Sequence, residues 1–229
     1  IPSNFMQYWK QMMSIGSIDA IVVGHDVLTQ QMRENRNEFA AFSLHQLDYL
    51  PKDSAERLIQ NPIQSEAIGD RFKLDAVKYI YEMTAGNAFY IQQICFHVVN
   101  FMNHNKLNKV NANQVKVVIG NWFANTETET LNTFFHPMFM SGEKGDNRVS
   151  DDDAKNILSA IAIASDRKKA LASKSDVFTV AEEIDDSFSP ERINRILESL
   201  ESRWVIDKHD SDEYEIRVKL YQEYLLGKI

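Results

Sequence analysis

The stretch YEMTAGNAFYIQQICFHVVNFM, residues 81–102, places a small-residue break between two runs of helical periodicity. Before the break, Leu74, Val77, Ile80 and Tyr81 fall on one helical stripe; after it, Ile91, Ile94, Cys95, Val98, Val99 and Met102 do the same. The pattern predicts two amphipathic helices, 73–84 and 88–105, joined by a tight corner. Gly86 suits a left-handed residue closing the first helix, and the Asn87 side chain suits capping of the second. Capping chemistry accounts for the corner, but the same residues would also suit a surface that faces a ligand.

Outward from the corner, the chain is predominantly helical. PKDSAERLIQNP, residues 51–62, has Asp53 and Glu56 at capping-box spacing, with Pro62 as a stop. NANQVKVVIGNWF adds a helix over about 112–123, so residues 47–123 read as a compact set of four helices. Upstream, SNFMQYWKQMMSI (residues 3–15) reads as a helix with Ser3 as N-cap. In DAIVVGHD (residues 19–26), the unbroken run Ala20, Ile21, Val22 and Val23 reads as a strand buried on both faces. Such a strand needs neighbours for its backbone groups, and no other run repeats its pattern, so its partners are expected before Ile1 or on another molecule. The start at Ile1 rather than Met fits a fragment of a longer protein. Residues 124–150 read as a turn-rich linker, with SGEKGDN (residues 141–147) an exposed loop.

The last segment, 151–229, reads as a separate domain. DDDAKNILSAIAIAS is a helix with acids at its start, favourable to the helix dipole. FTVAEEI is a short second helix or its lead-in. SPERINRILESLESRWVI is a third, with Ser189 as N-cap and Pro190 at the first helical position. RWVIDKHDSDEYEIRVKLY alternates on both sides of a polar turn at Asp210 to Asp212, as a hairpin does. Three helices followed by a hairpin make a winged-helix pattern, whose second and third helices have helix-turn-helix order.

Composition narrows the function. In 229 residues, 33 Asp and Glu outweigh 25 Lys and Arg, and the net charge of -8 opposes broad attraction to phosphate backbones. The lone Cys95 excludes an internal disulfide and fits a reducing, cytoplasmic setting. No apolar run is long enough to span a bilayer. The six histidines are scattered, and His97 and His104, which share a helical face seven residues apart, have no nearby Cys, Asp or Glu to complete a ligand set. No G-x-S-x-G elbow appears. We therefore assign no catalytic residue and no metal ligand.

In order, a buried strand ending VVGHD, the helix KDSAERLIQNP, the corner TAGNAFYIQQIC and a winged helix resemble the C-terminal portion of an AAA+ P-loop ATPase, most similar to its STAND and origin-recognition-like branches. The resemblance spans nearly the whole chain. It implies a mainly α fold: the remnant of an α/β ATPase core (1–46), a helical lid subdomain (47–123), a linker (124–150) and a winged-helix domain with a small hairpin (151–229). It implies that His25 or Asp26 lies near the γ-phosphate and that Gly86 and Asn87 face the nucleotide. ATP and Mg2+ would then be bound by the complete protein, with no tight binding expected of this chain alone. The expected partners are the missing N-terminal ATPase core and a protein, or a second copy, at the winged helix.

The chain departs from that family in reading Gly86-Asn87-Ala88 where Gly-Asn-Pro is usual, and in having no arginine at the corner. No G-x-x-x-x-G-K-[ST] loop exists to cradle phosphates and hold magnesium. GEKGDNRVS does not supply one, since Lys144 precedes the second glycine and no buried strand leads into it. The alternative is a winged-helix DNA-binding or transcription-related module without ATPase activity. Its contacts would come from Arg167, Lys168, Lys169 and Lys174 between the first two winged helices, Arg192 and Arg195 on the third, and Lys208, Arg217 and Lys219 on the hairpin. Acids outnumber the bases on that third helix, where Glu191, Glu198 and Glu201 accompany Arg192 and Arg195, so charge does not favour DNA.

Overall fold

The computed structural model describes residues 47–63, 69–140, 149–210 and 212–229, with a few isolated positions before 47. The expected helix over 3–15, the expected loop over 141–147, and His25 and Asp26 lie in whole or in large part outside the described residues. Of the expected buried strand, Ile21 is described; it is in no strand and is 92% exposed. The chain divides into two compact units, one of residues 1–47 and 141–149, the other of residues 48–140 and 150–229. The second unit takes in most of both the expected lid and the expected C-terminal domain.

This second unit is mainly helical, with a small three-stranded antiparallel sheet. No helix among the described residues is long and apolar enough to cross a membrane. The first helix of this unit, α1 (Lys52–Gln60), begins two residues earlier than expected. Pro51 is its N-cap, and the Pro51 carbonyl accepts from the amides of Ser54 at 2.9 Å and Ala55 at 3.0 Å. The Asp53–Glu56 capping box is therefore not formed; Asp53 lies within the first turn, where its charge complements the helix dipole. Pro62 sits in a 3-10 turn, Asn61–Ile63.

Helices α2 (Leu74–Thr84) and α3 (Ala88–His104) meet at the predicted corner. On α2, Ala76, Val77, Ile80 and Met83 are buried, whereas Leu74 is 83% exposed because it is the first helical residue, a turn ahead of the buried stripe. On α3, Tyr90, Ile91, Ile94, Val98 and Met102 are buried, and Cys95 and Val99 lie at the stripe's edge. Helix α4 (Ala112–Ala124) starts in a full capping box: the Asn111 side chain accepts from the Gln114 amide, and the Gln114 side chain accepts from the Asn111 amide.

The expected linker contains helix α5 (Thr128–Phe139). Pro137 and the threonines argue locally against it, since a proline within the helix removes one backbone donor and crowds the carbonyl four residues earlier, but Leu131, Phe135, Met138 and Phe139 are all buried. Phe135 packs against Tyr90 of α3 at 5.8 Å and Phe123 of α4 at 5.9 Å, ring centre to ring centre. Burial of four large side chains outweighs the weak propensity.

Helix α6 (Asp151–Lys168), capped by the Ser150 hydroxyl, runs through the centre of the C-terminal half with Ile157, Leu158 and Ile161 buried. A two-residue strand β1 (Ala172–Ser173) precedes α7 (Lys174–Ile184), which begins earlier than the expected second helix because Ser173 caps it. Helix α8 (Pro190–Ser202) has the predicted Ser189 cap and Pro190 start. The hairpin β2 (Ile206–His209) and β3 (Glu213–Ile216) pairs Ile206 with Ile216 and His209 with Glu213, and β1 adds to β3 on its other side. The alternation stops at Ile216: residues Lys219–Leu225 form α9, so Lys219 opens a helix and is not on the hairpin. Helix α9 packs on both α2 and α6, and its Tyr221 ring lies 4.9 Å from that of Phe135.

Candidate functional site at the helix corner

The corner turns through two successive left-handed residues, Ala85 at φ 51° and Gly86 at φ 85°. The Thr84 hydroxyl ties it down, donating to the Ile80 carbonyl at 2.8 Å. Asn87 leaves the left-handed region, and its side-chain oxygen accepts from the amides of Phe89 at 3.1 Å and Tyr90 at 3.3 Å. These are the capping roles read from the sequence, and they occupy the acceptor end of Asn87.

The far side of the corner is covered by residues 48–50. The Leu50 amide donates to the Gly86 carbonyl at 2.9 Å, and the Asn87 side chain hydrogen-bonds the Tyr49 hydroxyl. Burial raises the Tyr49 pKa, and the contacts with Asn87 and Arg217 only partly offset that rise. Gly86 and Asn87 thus both engage this strap.

Arg217 completes the arrangement. Its guanidinium lies 5.2 Å from the centre of the Tyr49 ring and 5.8 Å from that of Trp204, which sits at φ 58°. It donates to Asp48 at 3.1 Å and is paired with Asp207 of β2 at 2.9 Å. Its side chain is 22% exposed; burial acts to lower its pKa, but the carboxylates of Asp207 and Asp48 outweigh that and raise it. The sequence placed Arg217 among contact cations of the hairpin. The structure keeps it at the root of the hairpin and also brings it to the corner, because Asp48, distant along the chain, lies beside it.

Most of the other expected contact cations also meet carboxylates of this chain. Arg167 forms a two-pronged pair with Glu183, at 3.0 and 2.7 Å, Lys168 reaches Asp176 at 2.7 Å, and Lys169 reaches Asp166 at 2.6 Å. Arg192 grips Asp153 at 2.8 Å and lies 4.8 Å from the centre of the Phe188 ring, while Lys208 pairs with Asp212 at 2.8 Å. The Lys174 ammonium lies 5.8 Å from the Phe178 ring centre. Arg195 is exposed on α8 beside Glu191 and Glu198, whereas Ser199 of the same helix is buried.

His97 stacks on Trp122 at 4.1 Å, and burial lowers its pKa. Among the described residues no cluster of three or more His, Cys, Asp or Glu side chains could hold a metal ion. Tyr49, Trp204, Asp48 and Asp207 were not picked out from the sequence. Only Tyr49 carried a local hint, standing two residues before the helix-starting Pro51. No family model, no curated protein and no solved structure matches this chain.

Proposed function

We propose that the chain is the C-terminal lid and winged-helix part of a cytoplasmic AAA+ or STAND-type ATPase, and that it couples the nucleotide state of the complete protein to movement of a winged-helix interaction module. The observation that carries this reading is the contact of Arg217, at the root of the hairpin, with Asp48 and Tyr49 at the corner. A relay of this kind needs such a contact between the nucleotide-facing corner and the moving module. The succession α6, β1, α7, α8, β2, β3 supports the winged-helix part of the reading. His25, Asp26, Gly86 and Asn87 are the proposed nucleotide-facing residues. Phosphate cradling and magnesium ligation would come from the ATPase core, so ATP and Mg2+ would belong to the complete protein.

The pairing of most expected contact cations with carboxylates weighs against DNA, since cations already neutralised release few counterions on meeting phosphates. A protein partner or a second copy at the α8 face accords better with Glu191, Glu198 and Glu201. Calorimetric titration of this chain with ATP and Mg2+ is expected to give no turnover and binding weaker than micromolar. The sequence encoded upstream of Ile1 is expected to hold a glycine-rich phosphate loop and an apolar strand ending in two acids. Micromolar affinity in this chain would mean that the site is misplaced, and absence of both upstream motifs would remove the ATPase reading.

A further inference from the structure

We propose that Arg217 is a coupling residue, the fastening through which the α2–α3 corner and the β2–β3 hairpin move as one body. The inference rests on the proposed function only for what drives the corner. The link itself is read from contacts within this chain.

On one side, Arg217 belongs to the hairpin. It follows β3 directly, its backbone amide donates to the Val205 carbonyl at 3.1 Å, and its side chain pairs with Asp207 of β2. On the other side, the same guanidinium reaches Asp48 and packs on the Tyr49 ring. Residues 48–50 in turn are fixed to the corner, through the Leu50 amide on the Gly86 carbonyl and the Asn87 side-chain amide toward the Tyr49 hydroxyl oxygen. The path from hairpin to corner is therefore unbroken: Asp207, Arg217, Asp48 and Tyr49, then Gly86 and Asn87.

Arginine is the residue this junction requires. Two carboxylates approach it from different elements while two aromatic rings lie against it, and only a flat, permanently charged fork satisfies both demands. A lysine could keep one ion pair but could not also lie flat on Tyr49 and Trp204. Arg217 is 22% exposed and Asp48 51%, so the pair alone is worth little, and the junction rests on the ion pairs and ring contacts of Arg217 together. The packing of α9 on α2 is the competing connection between the same regions, and the test must separate the two.

Native-state hydrogen exchange on this chain, without nucleotide, makes that separation. Leu50 and Tyr90 amides report on the strap and corner, and the β2–β3 ladder amides report on the hairpin. Arg217→Ala is expected to speed exchange of the Leu50 amide as well as the ladder, by about tenfold, and Arg217→Lys to behave like Arg217→Ala. Asp48→Asn is expected to speed exchange of the ladder, although Asp48 makes no ladder bond. The Asp48 side chain is 51% exposed, so this variant folds even where Arg217→Ala does not. Ladder exchange at the wild-type rate in Asp48→Asn, an unaltered Leu50 amide in Arg217→Ala, or full retention of both in Arg217→Lys would each overturn the proposal. Failure of the ATP titration would leave this result standing, and failure here would leave the nucleotide reading standing.

Discussion

The carbonyl oxygen of Leu50 lies 2.1 Å from the point where a Cβ on residue 86 would stand. Gly86 is therefore required twice over, by its φ of 85° and by the backbone pressed against it. The obstruction is a main-chain atom, which cannot turn aside as a side chain could.

Gly86→Ala is expected to destabilise the chain by more than about 1 kcal/mol, since alanine is strained at positive φ and the strap must also shift. Gly120, in the middle of α4, is the internal comparison: a Cβ there meets nothing within 4 Å. Gly120→Ala is expected to stabilise by about 0.5–1 kcal/mol through helix propensity. Urea unfolding of the two variants checks both signs, and equal effects would show that the corner is not tightly covered.

Asn87 serves α3 as a cap and Tyr49 as a hydrogen-bond partner. Asn87→Ala is expected to cost about 1 kcal/mol, and Asn87→Ser clearly less, because serine retains a capping oxygen. Both lose the Tyr49 contact, so Asn87→Ser and Tyr49→Phe should be non-additive. A double-mutant cycle by thermal unfolding measures this; additivity within about 0.3–0.5 kcal/mol would mean that the two side chains do not interact. In the complete protein, Asn87→Ser with unchanged ATP affinity would confine Asn87 to its structural role.

Stability is expected to fall on both sides of neutrality, for opposite reasons. Burial lowers the His97 pKa below its ordinary 6.5, so on acidification the unfolded chain takes up this proton first. The contribution of His97 is thus complete above pH 6.5 and is lost as pH falls through the lowered folded value. Burial raises the Cys95 thiol from 9.0 to about 12 and pushes the Tyr90 and Tyr221 phenols well above 10.0. The unfolded chain then loses these protons first, so stability is complete below pH 9 and declines as pH rises through the folded values. The slope approaches about 1.4 kcal/mol per pH unit for each buried group that titrates only on unfolding. Urea midpoints across pH check this, and Cys95→Ala should remove the part of the decline that begins at pH 9; a midpoint unchanged by alkali would contradict the burial of these groups.

Features legible in the linear chain lie within a few residues of their signals. The α2–α3 corner, the Asn87 cap, the Ser189–Pro190 start of α8 and the polar turn between β2 and β3 all belong to this group, because caps and tight turns are made by neighbours along the chain. The Asp53–Glu56 box was legible but not formed, since Pro51 offered a competing start two residues earlier. Other features depend on packing. Helix α5 exists because Phe135 and its neighbours are buried among aromatic rings from α3, α4 and α9, against its own proline. Strand β1 is two residues long and is a strand only because β3 lies beside it. The cations that composition presented as a binding surface are held by carboxylates whose positions depend on how the helices pack. Arg217 meets Asp48 across 169 positions of sequence, and no local periodicity, cap or motif encodes a contact that the folding of everything between them must bring about.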